Sequence, residues 1–144
     1  MWNVESRKRD TFGATFQQFD RAKVARFGER EIARLVEDPG MSRSRAKSGA
    51  TIGGTRAILE MQQAEIDFPT WIWDPAGGQS IPNVGPVPAG TPLAAITSLE
   101  LKRCGFKFVG SVIVCAWMQT TGIVNDKASD CFRRSVRARK KKNR

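Results

Sequence analysis

The side chains available for chemistry are defined first by what is missing, because the sequence holds no histidine and no tyrosine. That excludes a Ser-His-Asp triad, imidazole acid–base chemistry and any zinc site built on histidine. The three cysteines, Cys104, Cys115 and Cys131, stand 11 and 16 residues apart, unlike zinc ligands. An odd number of them, in a chain with no secretory apolar region, predicts free thiols in a reducing cytosol. No P-loop or dinucleotide fingerprint occurs, and Ile52-Gly53-Gly54-Thr55 is too short a glycine cluster to count as one. What remains is cationic chemistry, with 24 Lys and Arg against 14 Asp and Glu and a formal charge of +10.

The placement of that charge matters more than its total. From Arg133 to Arg144 there are eight basic residues and no acid, which leaves the rest of the chain at +2. A like-charged run repels itself and buries almost nothing, so residues 133–144 read as a disordered tail. It is either an arm for nucleic-acid phosphates or a solvated end without selectivity. The longest apolar run, Val109 to Met118, is interrupted by Gly110 and Ser111 and is far short of the roughly 20 residues of a membrane span. The expectation is one domain over residues 1–132, cytoplasmic and monomeric, without membrane contact.

The elements that must position the cations are helical. Asp20 is an N-cap residue, and the spacing predicts helices over 21–27 and 29–37, divided at Gly28. Asp38-Pro39-Gly40-Met41 must turn, with Gly40 offering positive φ. A further helix is predicted from near Ser42 to Gln63, with a small-residue stripe at Ala46, Ala50, Gly53, Ala57 and Met61. Phe68, Trp71, Ile72 and Trp73 form an aromatic cluster ahead of a proline-rich loop of about 15 to 20 residues. Helical spacing returns from Leu93 to Arg103, and Cys104-Gly105 supplies a stop. Phe106 to Val109 alternates like a strand, yet no second run offers a sheet partner, so the β-branched stretch 110–121 reads as a buried helix ended by Gly122.

Residues 29–63 have the layout of a helix-hairpin-helix. In such a unit the hairpin amides and the second helix N-terminus can hold a DNA phosphate, since free N–H groups and the helix dipole both favour an anion. Gly40, Ser42, Arg43, Arg45 and Lys47 are the candidates there, with Lys102, Arg103 and Lys107 further along. The alternative is an ordinary helical hairpin with a solvated basic face.

Lys102-Arg103-Cys104-Gly105-Phe106-Lys107-Phe108-Val109-Gly110, then Met118-Gln119, Gly122 and Val124-Asn125-Asp126, resembles the C-terminal signature of the DNA-3-methyladenine glycosylase I family. Arg7-Lys8-Arg9-Asp10, Phe16-Gln17-Gln18-Phe19-Asp20 and Arg34-Leu35-Val36-Glu37-Asp38 follow that family in the same order, as do Gly40, Arg43, Arg45, Lys47 and Ala57. The resemblance extends from about residue 7 to 132. It implies an all-α helix-hairpin-helix glycosylase that extrudes alkylated adenine from double-stranded DNA and hydrolyses its N-glycosidic bond with water.

Departures from the family limit what carries over. The resemblance places a base-stacking tryptophan at Trp2, but the tyrosines and the glutamate that the family sets upstream have no counterpart here. It also implies a zinc site, of which only Cys131 remains, because Lys127 stands where a histidine ligates and a protonated lysine cannot. No zinc is therefore expected, and no catalytic residue is assigned. Three readings follow: a base-excision repair protein impaired in catalysis, a non-catalytic DNA-binding remnant, or the product of a mis-started gene with its first helices missing.

Overall fold

The computed structural model describes residues 8–134; Trp2 and residues 135–144 of the basic tail lie outside them. The contacts divide the chain into two compact units, one up to Ile66 together with Cys104–Phe108, the other Asp67–Arg103 with the chain from Val109 onward.

In the first unit α1 (Arg9–Thr15) leads through a short 3-10 turn, Gln17–Phe19, to α2 (Arg21–Ala25), α3 (Glu29–Glu37) and the long α4 (Arg45–Gln63). The helical start at Asp20 holds, since its carboxylate accepts from the Lys23 amide at 3.2 Å. The sequence reading missed α1, and with it the turn, where Gln17, Gln18 and Phe19 all take φ between 53° and 59°. Such left-handed backbone is disfavoured for side-chain-bearing residues and needs packing to hold it. The packing is there: Phe16, Val24, Phe27, Leu35, Met41 and Ile52 form one buried cluster, with Phe12 and Ile32 against it. Gly28 separates α2 from α3, and the Glu31 carboxylate accepts from its amide at 2.8 Å. Arg56 ties α4 to the preceding segment by donating to the carbonyls of Ala25 and Phe27 at 2.8 and 2.7 Å.

The expected small-residue stripe on α4 is shifted. Ser48, Ile52, Gly54, Ala57 and Met61 are the buried positions, whereas Gly53 has open space beside it. At Gly54 a ring approaches closely: a Cβ there would meet Phe106 at 3.2 Å.

In the second unit α5 (Phe68–Trp73), capped by Asp67, continues into a 3-10 turn at Asp74–Ala76. It is followed by α6 (Pro92–Arg103) and α7 (Ser111–Thr121), which pack on each other. The strand-like segment 106–109 is irregular, with Phe108 at φ 57°. The helix expected to be buried is buried only through Val114, Cys115 and Met118; Val112 and Ile113 on the same helix are 61% and 57% exposed. The strand-like run 106–109 has no sheet partner among the described residues, as expected, but a short parallel pair that the sequence did not announce lies elsewhere. Ile81–Pro82 (β1) pairs in parallel with Val124–Asn125 (β2), in register Ile81 to Val124 and Pro82 to Asn125. Each strand is only two residues long, too short for periodicity to reveal. Among the described residues no helix is long and apolar enough to cross a membrane.

Candidate nucleic-acid interface

The connection between α3 and α4 is built by Asp38. Its Oδ1 accepts from the Gly40 amide at 2.7 Å, and its carbonyl accepts from the Met41 amide at 3.1 Å. Gly40 is required here by space and not by a positive φ, because a Cβ would lie 2.6 Å from Thr11 Cγ2. The helix starts at Arg45, later than Ser42, because Ser44 is the cap: its Oγ accepts from the Lys47 amide at 3.3 Å. These bonds commit the amides of Gly40, Met41 and Lys47. The amides of Ser42, Arg43, Arg45 and Ala46 have no partner among the described residues.

Four open donors at the start of a 19-residue helix, with cationic side chains around them, form an anion-receptive end. Arg43 and Lys47 are exposed and unpaired among the described residues, whereas Arg45 is held by the Glu29 carboxylate. Lys8 Nζ donates to the Met41 carbonyl at 3.3 Å and adds a further cation. Beside this end a cavity of about 270 Å³ lies against Phe12 and Phe16, with Ser42, Lys47 and Ser48 on its other side. The five candidates on this segment are thus brought together, with Gly40 shaping the turn and Arg45 already engaged.

α6 and α7 form a second helix–turn–helix, where the sequence places helices over 93–103 and 110–121 with a stop at Cys104-Gly105. What sequence reasoning did not single out is the start of α7 as a possible binding end. Gly105 takes φ 89°, and Gly110 is an N-cap without a side chain to bond. The amides of Ser111, Val112 and Ile113 are therefore open among the described residues, which is again an anion-receptive helix end. Lys102 and Lys107 are exposed, and Arg103 donates to Glu100 at 2.5 Å. Lys107 belongs to the first unit, Lys102 and Arg103 to the second.

The C-terminal segment is where the resemblance implies zinc. Cys131 is half-buried with a free thiol, and the amide of Lys127 bonds Asn125 Oδ1 at 3.4 Å. Among the described residues no three His, Cys, Asp or Glu side chains gather where they could hold a metal. One thiol beside a lysine is not a donor set for tetrahedral zinc. Elsewhere in this unit Cys115 is 1% exposed. Burial first, and then the charge of Asp126, push its thiol above the ordinary range. Both carboxylate oxygens of Asp126 are enclosed without a hydrogen-bond partner among the described residues.

Packed helices joined by tight turns, each second helix opening on unpaired amides, are the architecture of helix-hairpin-helix DNA glycosylases. The comparisons are more specific. Residues 1–134 match the family described as methyladenine glycosylase. The DNA-3-methyladenine glycosylase 1 of Escherichia coli (strain K12) is 37% identical over 134 residues, which are 90% of this chain and 72% of that protein. A crystal structure of 3-methyladenine DNA glycosylase I superposes with a TM-score of 0.88 at 34% identity, over 92% of this chain and 75% of that one. A single-residue variant of such an enzyme in complex with 3-methyladenine gives a TM-score of 0.85 at 25% identity, over 90% of this chain and 72% of that one. The chain belongs to the methyladenine glycosylase family.

Proposed function

We propose that the chain serves base-excision repair by binding double-stranded DNA that carries alkylated adenine, as a monomer. The family reaction, hydrolysis of the N-glycosidic bond to release 3-methyladenine, is impaired in this polypeptide. The observation that carries the DNA part is the start of α4 with the turn before it, where four amides without a partner among the described residues meet Arg43 and Lys47. A phosphate there accepts from the amides, sits at the positive end of the helix dipole and is paired by the two side chains. The N-terminus of α7 offers a second phosphate the amides of Ser111 to Ile113. Gly40 keeps the first turn tight, Ser42 lines it, and Lys102, Arg103 and Lys107 add backbone contacts that position without reading sequence. Trp2 stacks on the extruded base.

The reaction needs a water molecule and little acid assistance, because the leaving base is already positively charged. The sequence supplies no tyrosine or histidine to orient that base, and Asp126, enclosed beside Cys115, is not open to it. Zinc is not held, since Cys131 has no companion ligands among the described residues.

The test is twofold. Binding of the purified chain to alkylated and plain duplexes, followed by anisotropy against salt, is expected to favour the alkylated one. Lys47→Ala and Arg43→Ala should each reduce the salt slope by about one. Measurable release of 3-methyladenine would overturn the impairment. Equal affinity for both duplexes would replace base recognition by a purely DNA-binding role.

A further inference from the structure

The second unit contains a smaller cavity, of about 90 Å³, that the DNA reading does not use. Trp71, Ile72 and Pro75 wall it, Asp74 and Glu100 stand at it, and Thr97 lines its floor. Thr97 is 2% exposed, and its hydroxyl has no hydrogen-bond partner among the described residues. Threonines within helices ordinarily donate to the carbonyl one turn back, as Thr15, Thr51, Thr55, Thr120 and Thr121 do here. Thr97 makes no such bond to α6, although leaving a buried hydroxyl unpaired is unfavourable.

We infer that this cavity receives a primary alkylammonium group. An ammonium carries three N–H donors and no acceptor. Three acceptors stand ready: the Asp74 carboxylate, the Glu100 oxygen that Arg103 leaves free, and the Thr97 hydroxyl. The Trp71 indole, held against Phe68 at 5.9 Å, adds the attraction of a ring face for a cation. Ile72 and Pro75 give the alkyl stem an apolar wall. The two carboxylates repel anions, and a guanidinium fork needs more in-plane acceptors than the cavity presents. A lysine side chain of a partner and a free alkylamine share this chemistry.

The test is a titration of the full 144-residue chain with n-butylammonium, followed by NMR at the Trp71 indole N–H and the Thr97 methyl, with n-butanol as the neutral isostere. Saturable shifts at both positions, with the alcohol at least about tenfold weaker, are expected. Asp74→Asn combined with Glu100→Gln should weaken binding about tenfold, and the isosteric Thr97→Val about threefold. A short unstructured lysine peptide binding more tightly than butylammonium assigns the site to a partner's lysine, and weaker binding assigns it to a free amine. Equal response to the alcohol, or shifts scattered over surface carboxylates without saturation, would overturn the inference. That comparison needs no variant to fold.

Discussion

Thr11 and Gly40 touch so closely that a single methyl group at position 40 would stand 2.6 Å from Thr11 Cγ2. The turn that opens α4 is therefore fitted against α1. Gly40→Ala is expected to cost about 1–3 kcal/mol in urea denaturation, as overpacking does. In a Thr11→Ala background the cost should fall but not vanish, since the Thr11 atoms are gone while Asp38 Oδ1 still stands 3.0 Å from the added methyl. Equal costs in both backgrounds would show that the turn conformation, and not the contact, demands glycine.

Asp126 presents an enclosed carboxylate without a donor among the described residues. Asp126→Asn removes a charge that no hydrogen bond among the described residues compensates, and it is expected to leave stability unchanged or raise it by up to about 2 kcal/mol. A loss of similar size would reveal a donor from outside residues 8–134.

The same pair sets the reactivity of Cys115. Burial and the Asp126 charge both hold its thiol protonated, and the thiolate is the nucleophile. Alkylation of the native chain, read by mass spectrometry, should label the half-buried Cys104 and Cys131 well before Cys115. Asp126→Asn should narrow the gap by removing the second of the two causes.

Glu31 is held below its ordinary value of 4.5, chiefly by the hydrogen bond from the Gly28 amide. A carboxylate whose pKa is lower in the folded state stabilises that state above its unfolded value, and the contribution is lost as pH falls through the folded value. Thermal midpoints measured downward from pH 7 should therefore drop more steeply below about pH 4.5 for the parent chain than for Glu31→Gln. Parallel curves would show that the capping bond carries no pH dependence.

On α6 and α7, Ile96, Leu99, Val112 and Ile113 are all more than half exposed. Apolar surface of this kind drives association. Light scattering should show a monomer at the concentrations used for DNA binding, with self-association only at far higher concentration, which Val112→Lys with Ile113→Glu suppresses. A monomer at every concentration in the parent chain would mean that these side chains are too dispersed to act together.

The long helices were legible because their cues are local. Asp20 and Gly122 mark a start and a stop by their own chemistry, and α3 begins and ends where spacing and Pro39 place it. What stayed hidden depends on partners distant in sequence. Nothing near Gly40 announces Thr11, nothing near Gly54 announces Phe106, and β1 finds its mate more than forty residues away. The candidate interface was legible only in part, for the same reason. The basic side chains could be named from sequence, but which amides remain open depends on Asp38 and Ser44 taking up their neighbours. That Arg45 is spent on Glu29 is also a tertiary fact.

The pairing of β1 with β2 changes what the proline-rich connection is. Ser80 Oγ donates to the Gly122 carbonyl at 2.6 Å, the amides of Ile81 and Asn83 donate to Ile123 and Asn125 at 2.9 and 3.0 Å, and Gln119 holds the Pro88 carbonyl at 3.2 Å. What reads as one long slack loop is pinned at both ends, and between the pins Val84 is 87% exposed. Extra residues spliced between Val84 and Val87 would give up the bond from Asn83 Nδ2 to the Pro86 carbonyl at 3.2 Å but leave these pins in place, and doubling the free span would cost only about 0.6 kcal/mol of closure entropy. The molecule thus carries a place where a foreign peptide can be grafted without disturbing α6 or α7.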